Sequence, residues 1–403
     1  MKETMAKGKV KGIRSSLTGN QALAEAMRQV NPDVMAAYPI TPSTPIVETF
    51  SQFVADGVVD TELVTTESEH SAMSACVGAA AAGGRVMTAT GSQGLAFMYE
   101  VLYVVPSLRL PVVIAVANRA LNSPLNIHGD HSDTMALRDS GWIHLYSENA
   151  QECYDNVLQA VRIAEHEKVL TPVMVCEDAF QTSHMIETLE ILPDEVAKKF
   201  IGTYKPLYPL LDTNHPVTYG AADRPDYYME HKRNQLAGIT EALEVIPQIG
   251  KEYGELTGRS YGMIDSYRLE DADYVIVIMS AVASTVRHVV DKLRTEGVKA
   301  GMLKIRCFRP FPFKETAEKL SNVRAIAVLD RCWTGGAQGG PLFLEISTAL
   351  YNTGLKPAII NYVYGLGGRD LFTDEIEDVY HRLEKIAKTG TVGELVGYLN
   401  LRE

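Results

Sequence analysis

Apolar and polar positions repeat on two periods that take turns along the chain. TGNQALAEAMRQV (18–30) carries apolar residues at 22, 23, 26, 27 and 30, the stripe of an amphipathic helix. VMAAYPI (34–40) then predicts a strand, TPIVETFSQFV (44–54) a helix and ELVTTE (62–67) an extended segment. HSAMSACVGAAAAGG (70–84) predicts a helix of very small residues, RVMTAT (85–90) a strand, GLAFMYEVLYVV (94–105) a helix and LPVVIAVA (110–117) a strand. After a long polar loop come the strand IHLYS (143–147), the helix AQECYDNVLQAVRIAEH (150–166) and the strand TPVMVCED (171–178). The strands are continuously apolar and alternate with helices, the pattern of a parallel sheet covered on both faces.

The rhythm fails from about 186 to 265, where YKPLYPLLDTNHP and AADRPDYYMEHKR are rich in proline, tyrosine and charge. This stretch predicts a connecting arm with one long helix at about 230–255. Alternation resumes at DYVIVIMS (273–280), followed by a helix at 283–296, AGMLKIR, a short helix, AIAVLD, a helix, AIINYVYG and a terminal helix. The expected divisions are an N-terminal arm (1–14), a first α/β domain (15–200), the connecting arm and helix (201–264) and a smaller α/β domain (265–403).

Composition narrows the class. With 403 residues, 46% hydrophobic and 22% charged, the chain has the make-up of a soluble protein of two or three domains. No apolar run approaches the roughly 20 residues that cross a bilayer. The basic start MKETMAKGKVKGIRSS has no apolar core behind it and reads as a short disordered arm rather than a secretory signal, which places the protein in the cytoplasm. A net charge of −12 without a basic face argues against nucleic-acid binding. Cys76, Cys153, Cys176, Cys307 and Cys332 form no CxxC pair, so a zinc ribbon or an iron–sulfur cluster held by this chain alone is not expected.

In open parallel sheets, ligands bind beyond the carboxyl ends of the strands. Four polar clusters fall there: YPITP, ESEHS, ATGSQG and NRALNSPLNIHGDHSD. YPITPSTP (38–45) sets three prolines and three hydroxyls at one strand end, and Pro39 and Pro42 stiffen the backbone around Thr41. Glu69 stands at a helix start, where a carboxylate is favourable for capping alone, a role Glu67 or Ser68 also fits. Arg119, at the end of a buried strand, needs an anion, either a structural carboxylate or that of a substrate. HGDHSD (128–133) holds two histidines and two aspartates but lacks a helix and a distant third ligand, so it reads as a hydrogen-bonded loop and no metal site is assigned. GGAQGGPL (335–342) and GLGGRD (365–370) read as tight turns. These residues describe an α/β protein that binds a small anionic substrate at strand ends. Hydrolase, transferase and regulatory module all remain open.

Taken together, YPITPSTP, ESEHSAMSACVGAAAAGGRVMTATGSQGL, NRALNSPLNIHGDHSD and RCFRPFP (306–312) resemble the α subunits of pyruvate:ferredoxin oxidoreductases, in the thiamine-diphosphate-dependent 2-oxoacid:ferredoxin oxidoreductase family. The resemblance spans about residues 15 to 390. It implies a pyrimidine-binding thiamine domain at 15–200 and a transketolase C-terminal-like domain at 265–403. It implies reversible oxidative decarboxylation of pyruvate with coenzyme A, giving acetyl-CoA, CO2 and reduced ferredoxin. The thiamine diphosphate would be shared with another subunit, with Mg2+ and [4Fe-4S] clusters on partner β, γ and δ chains in a dimer of αβγδ. Glu69 matches the glutamate that shares a proton with N1′ of the aminopyrimidine, which lets the 4′ nitrogen take the C2 proton and form the ylide. Thr41 matches the substrate-binding threonine and Arg119 the arginine that anchors the substrate carboxylate. Threonine at 41, where oxalate-using relatives carry arginine, fits a small pocket. The second domain is expected to support assembly, with Arg306, Arg309 and Arg331 as solvated charge rather than contacts to a coenzyme A phosphate. The alternatives are a branched-chain 2-oxoacid enzyme and a non-catalytic scaffold subunit.

Overall fold

The structure, a computed structural model, describes residues 9–402. Residues 1–8, most of the expected arm, lie outside the described residues. The last two residues of that arm are corrected, since Ile13 and Arg14 already belong to a strand.

In chain order the first elements are β1 (Ile13–Thr18), α1 (Gly19–Val30), β2 (Val34–Ala37), α2 (Thr44–Ala55), β3 (Glu62–Thr65), α3 (Glu69–Ala82) and β4 (Val86–Thr90). Next come α4 (Gln93–Phe97), α5 (Tyr99–Ser107), β5 (Val113–Asn118), α6 (Ser132–Met135), β6 (Ile143–Tyr146), α7 (Ala150–Glu165), β7 (Val173–Asp178) and β8 (Ile186–Ile191). α8 (Asp194–Ile201) and α9 (Tyr228–Thr257) bridge to β9 (Ile264–Tyr267), β10 (Tyr274–Ile278), α10 (Ala283–Thr295), β11 (Ala300–Ile305) and β12 (Cys307–Arg309). The chain ends with α11 (Phe313–Lys319), β13 (Ala325–Asp330), α12 (Pro341–Asn352), β14 (Ala358–Val363), α13 (Thr373–Thr389) and β15 (Val396–Tyr398).

Two sheets organise these elements. The first has seven strands in the order β12-β6-β7-β5-β4-β2-β3, the second six in the order β15-β14-β13-β10-β11-β9. Every pairing is parallel except β12 on β6 and β9 on β11, each an antiparallel strand at an edge. β4, β5, β6 and β7 are buried throughout, as their unbroken apolar runs predict. The expected α/β architecture is therefore present.

Three elements differ from the periodic reading. β1 and β8 form a separate antiparallel pair, Ile13 opposite Ile191 through Thr18 opposite Ile186. Both strands are partly exposed, so neither shows the apolar run of a core strand. The single helix expected at 94–105 is two, broken at Met98. RCFRPFP lies in the sequence of the second domain, but its strand β12 completes the edge of the first sheet.

The arginines expected to be solvated are instead engaged, Arg306 and Arg331 buried and Arg309 partly so. Arg306 is 2% exposed and donates to Asn156 Oδ1 (2.9 Å) and Gln159 Oε1 (3.1 Å). Arg331 pairs with Asp178 (2.9 Å), and Arg309 with Glu345 (2.7 Å). On β11, Lys304 is 1% exposed and donates to Glu148 and Glu152, each at 2.6 Å. Arg287 adds a second cation to Glu148 at 2.7 Å. Burial alone would raise the Glu148 carboxyl, but Lys304 and Arg287 outweigh it and hold it at about 2.

Glu177 on β7 presents the opposite case. It is fully buried, its Oε1 has no partner, and burial pushes its carboxyl up to about 8 despite a bond from Cys153. The folded chain thus keeps a proton that the unfolded chain releases near pH 4.5. Stability contributed by that proton is complete below the unfolded value and lost as pH rises through about 8. Glu177→Gln is expected to flatten the fall of the thermal midpoint between about pH 4.5 and pH 8, measured by calorimetry. An unchanged slope would mean that Glu177 is already ionised at neutral pH.

Candidate active site at the strand ends

The sheet order β5-β4-β2-β3 sets the four polar turns side by side, one beyond each strand's carboxyl end. Each predicted cluster therefore opens onto the same edge.

Asp133 fastens two of these turns. It is buried and accepts from Ser92 N (2.9 Å), Arg119 N (3.0 Å), Asn118 Nδ2 (2.8 Å) and Thr134 N (2.7 Å). Burial pushes its carboxyl up to about 6 against these four donors. Ser92 pays for its place with backbone strain, at φ 50°, and its Oγ donates to Ala120 O at 2.7 Å. The turn after β4 is thereby fixed against the turn after β5.

The remaining polar residues of HGDHSD are individually engaged. His131 Nε2 lies 2.7 Å from Asp178 Oδ1, and Asp130 accepts from Ser132 N (2.9 Å) and Gly367 N (3.3 Å). Gly367 has φ 58°, and a side chain there would overlap Asn126, so GLGGRD is a turn shaped to meet this loop. No group of three or more His, Cys, Asp or Glu converges among the described residues.

Arg119 is 7% exposed, and its guanidinium meets two backbone carbonyls, Asn126 O (3.1 Å) and Thr41 O (2.9 Å). It has no carboxylate partner for its side chain among the described residues. Burial lowers its pKa, opposed by Asp133. Thr41 itself is exposed, and its hydroxyl makes no bond among the described residues. Its flank is tied down: Asn20 Nδ2 donates to Pro42 O (2.9 Å) and Ser43 Oγ to Ile40 O (2.8 Å).

Glu69 and Glu67 separate clearly. Ser68 caps α3 by accepting from Ser71 N (3.2 Å), and the exposed Glu67 accepts from Ser71 Oγ. Capping therefore uses Ser68. Glu69, the first residue of α3, is 6% exposed, and its carboxylate finds no partner among the described residues. Beside it lies Gly94, where a Cβ would stand 3.1 Å from Glu69 Oε1 and overlap Thr90 Oγ1. Thr90, Gly94, Ser92, Asn118 and Asp133 were not singled out from the sequence. The glycines of ATGSQG and the aspartate that ends HGDHSD were the available signals.

Residues 25–251 match the family model described as pyruvate flavodoxin/ferredoxin oxidoreductase, thiamine diP-binding, and residues 272–376 that of pyruvate:ferredoxin oxidoreductase core domain II. Fold and match together define a thiamine-diphosphate-binding α/β protein. The pyruvate synthase subunit PorA of Thermotoga maritima is 53% identical over 97% of this chain and 98% of its own. The PorA of Methanocaldococcus jannaschii is 44% identical over the same shares. The ketoisovalerate oxidoreductase subunit VorA of Pyrococcus horikoshii is 42% identical over 97% and 98%. The chain belongs to the α subunits of the 2-oxoacid:ferredoxin oxidoreductase family.

Two solved structures share the fold at low identity. The 2-oxoglutarate:ferredoxin oxidoreductase of Magnetococcus marinus superposes with a TM-score of 0.71 at 20% identity, over 93% of this chain and 65% of that one. A split-gene transketolase follows at 0.53 and 13%, over 93% and 99%.

The site fits the aminopyrimidine end of thiamine diphosphate on its own chemistry. A ring nitrogen needs a carboxyl group with no other partner, and Glu69 is one. Close approach of a ring needs a wall without side chains, and Gly94 and the alanines of α3 supply it.

Proposed function

We propose that this chain is the α subunit of a pyruvate:ferredoxin oxidoreductase, which reversibly converts pyruvate and coenzyme A to acetyl-CoA, CO2 and reduced ferredoxin. The observation that carries the reading is a pair of buried ionisable side chains without charge partners among the described residues, Glu69 beyond β3 and Arg119 beyond β5, at the same edge of the first sheet. Thiamine diphosphate, when bound, supplies the carbon nucleophile and the electron sink.

Glu69 holds a proton at N1′ of the aminopyrimidine, the position its free carboxyl is suited to serve. Arg119 uses the N–H groups not spent on Thr41 O and Asn126 O to hold the substrate carboxylate. The same bond to Thr41 O sets the adjacent hydroxyl against the substrate, so one guanidinium orients both. Orientation of this kind supplies a large part of a rate gain.

Pyruvate is favoured by the relatives of highest identity among those named above, and by the small threonine at 41. A branched-chain substrate is the second reading, supported by the 42% identity to a ketoisovalerate enzyme. The reading places Mg2+ and the [4Fe-4S] clusters on β, γ and δ chains in a cytoplasmic dimer of αβγδ. Five separately buried cysteines on this chain agree with that division. It also assigns the pyrimidine-binding role to about 15–200 and a transketolase C-terminal-like role to 265–403.

The test is viologen reduction by the complex assembled with its partners. Arg119→Ala is expected to lower kcat/KM for pyruvate about 100-fold, mainly through KM, with thiamine diphosphate affinity unchanged. Wild-type kcat/KM in this variant would remove Arg119 from the site. Turnover at least about tenfold better on 3-methyl-2-oxobutanoate than on pyruvate, a difference of only about 1.4 kcal/mol, would select the branched-chain reading.

A further inference from the structure

We propose that Thr90 is a positioning residue that holds Glu69 by a hydrogen bond when the cofactor is bound, and that Gly94 is kept empty so that the two can meet. The proposal rests on the reading of Glu69 as the partner of the aminopyrimidine.

Three observations converge. Thr90, the last residue of β4, is fully buried, and its Oγ1 has no hydrogen-bond partner. Such a group costs stability, and valine would fill the same volume without that cost. The neighbouring hydroxyl on the same face, that of Thr88, shows the usual outcome: it donates to Ala36 O at 2.6 Å. Second, Glu69 is 6% exposed and its carboxylate makes no hydrogen bond among the described residues. Third, the two groups pack over the bare backbone of Gly94. A Cβ on Gly94 would overlap Thr90 Oγ1 and lie 3.1 Å from both Cγ and Oε1 of Glu69.

Several surrounding polar groups are already committed. Ser92 Oγ donates to Ala120 O, Asp133 accepts four bonds, and Ser68, Ser71 and Glu67 bond among themselves. Thr90 Oγ1 is thus a buried donor without a partner among the described residues, beside the unbonded carboxylate of Glu69. A carboxylate has room for several donors. One Glu69 oxygen can face the aminopyrimidine while the other accepts from Thr90, after a side-chain rotation across the glycine gap. That second bond fixes the plane of the carboxyl group, which the one-sided contact to a ring nitrogen leaves free to turn.

The experiment uses the assembled complex, stripped of and reloaded with thiamine diphosphate and Mg2+. Thr90→Val without cofactor is expected to unfold at or above the wild-type temperature, because an unsatisfied hydroxyl has been removed. With saturating cofactor it should gain less than wild type, with the thiamine diphosphate Kd raised about tenfold and kcat lowered about tenfold at nearly constant KM. Thr90→Ser, which keeps the hydroxyl, should restore both. Gly94→Ala should weaken cofactor binding as Thr90→Val does. Wild-type cofactor affinity and kcat in Thr90→Val would overturn the proposal, as would a Thr90→Ser variant as impaired as Thr90→Val. Glu69→Gln in parallel keeps the two readings apart. If it is inactive while Thr90→Val is unaffected, only the Thr90 proposal falls. If it turns over normally, the reading of Glu69 falls and this proposal with it.

Discussion

Glu69→Gln is expected to lower pyruvate- and coenzyme A-dependent viologen reduction by the assembled complex at least about 100-fold, the usual share of a positioned acid–base group. The amide matches the carboxyl in size, so packing against Gly94 survives. Helix α3 also survives, because its cap is Ser68 accepting from Ser71 N and owes nothing to Glu69. What disappears is the ability to share a proton with a ring nitrogen. Glu67→Gln is the matched control. Glu67 lies two residues away, but it is exposed and already bonded to Ser71, so its variant should stay within about twofold of wild type. Equal losses in both variants would point to a charge effect of the helix start rather than to a proton at one atom.

The largest stability effect is expected at Lys304. Lys304→Ala should destabilise the chain by about 3–5 kcal/mol in denaturant unfolding, because it leaves Glu148 and Glu152 buried beside a missing cation. Arg287 still reaches Glu148 but bonds neither Glu152 oxygen among the described residues. The pH dependence carries the sign. Glu148 is held at about 2 in the folded chain, so its contribution is present above the ordinary carboxylate range and lost as pH falls through about 2. Removing Lys304 weakens that contribution. The gap between variant and wild type should therefore be widest near neutral pH and narrow towards pH 2. A gap that does not vary with pH would show that lost packing of the lysine stem, not charge, sets the cost.

Most of the sheets were legible because their strands are buried on both faces. VIAVAN and AIAVLD admit few other readings, and their order places the polar turns at one edge. Arg119 and Thr41 were legible as types of residue in a suggestive place. Their bond was not, since the acceptor is a backbone carbonyl that no sequence pattern marks. The ribbon of β1 and β8 went unseen because its partners lie far apart in sequence and each strand is half-exposed. Arg306 looked like surface charge because arginine usually is. Its acceptors, Asn156 and Gln159, sit on α7, in the other half of the chain. Thr90 and Gly94 show the same limit: an unsatisfied hydroxyl and a filled gap are properties of surroundings, not of letters.

Strand β12 has a meaning for how such a chain can be inherited. It leaves the second sheet's sequence and closes the edge of the first, on β6. A gene divided between the sheets, anywhere from the end of α9 to the start of β11, would leave β6 with an unpaired edge and separate Lys304 and Arg306 from the side chains that neutralise and hold them. The chain resists being cut at the seam its two sheets suggest.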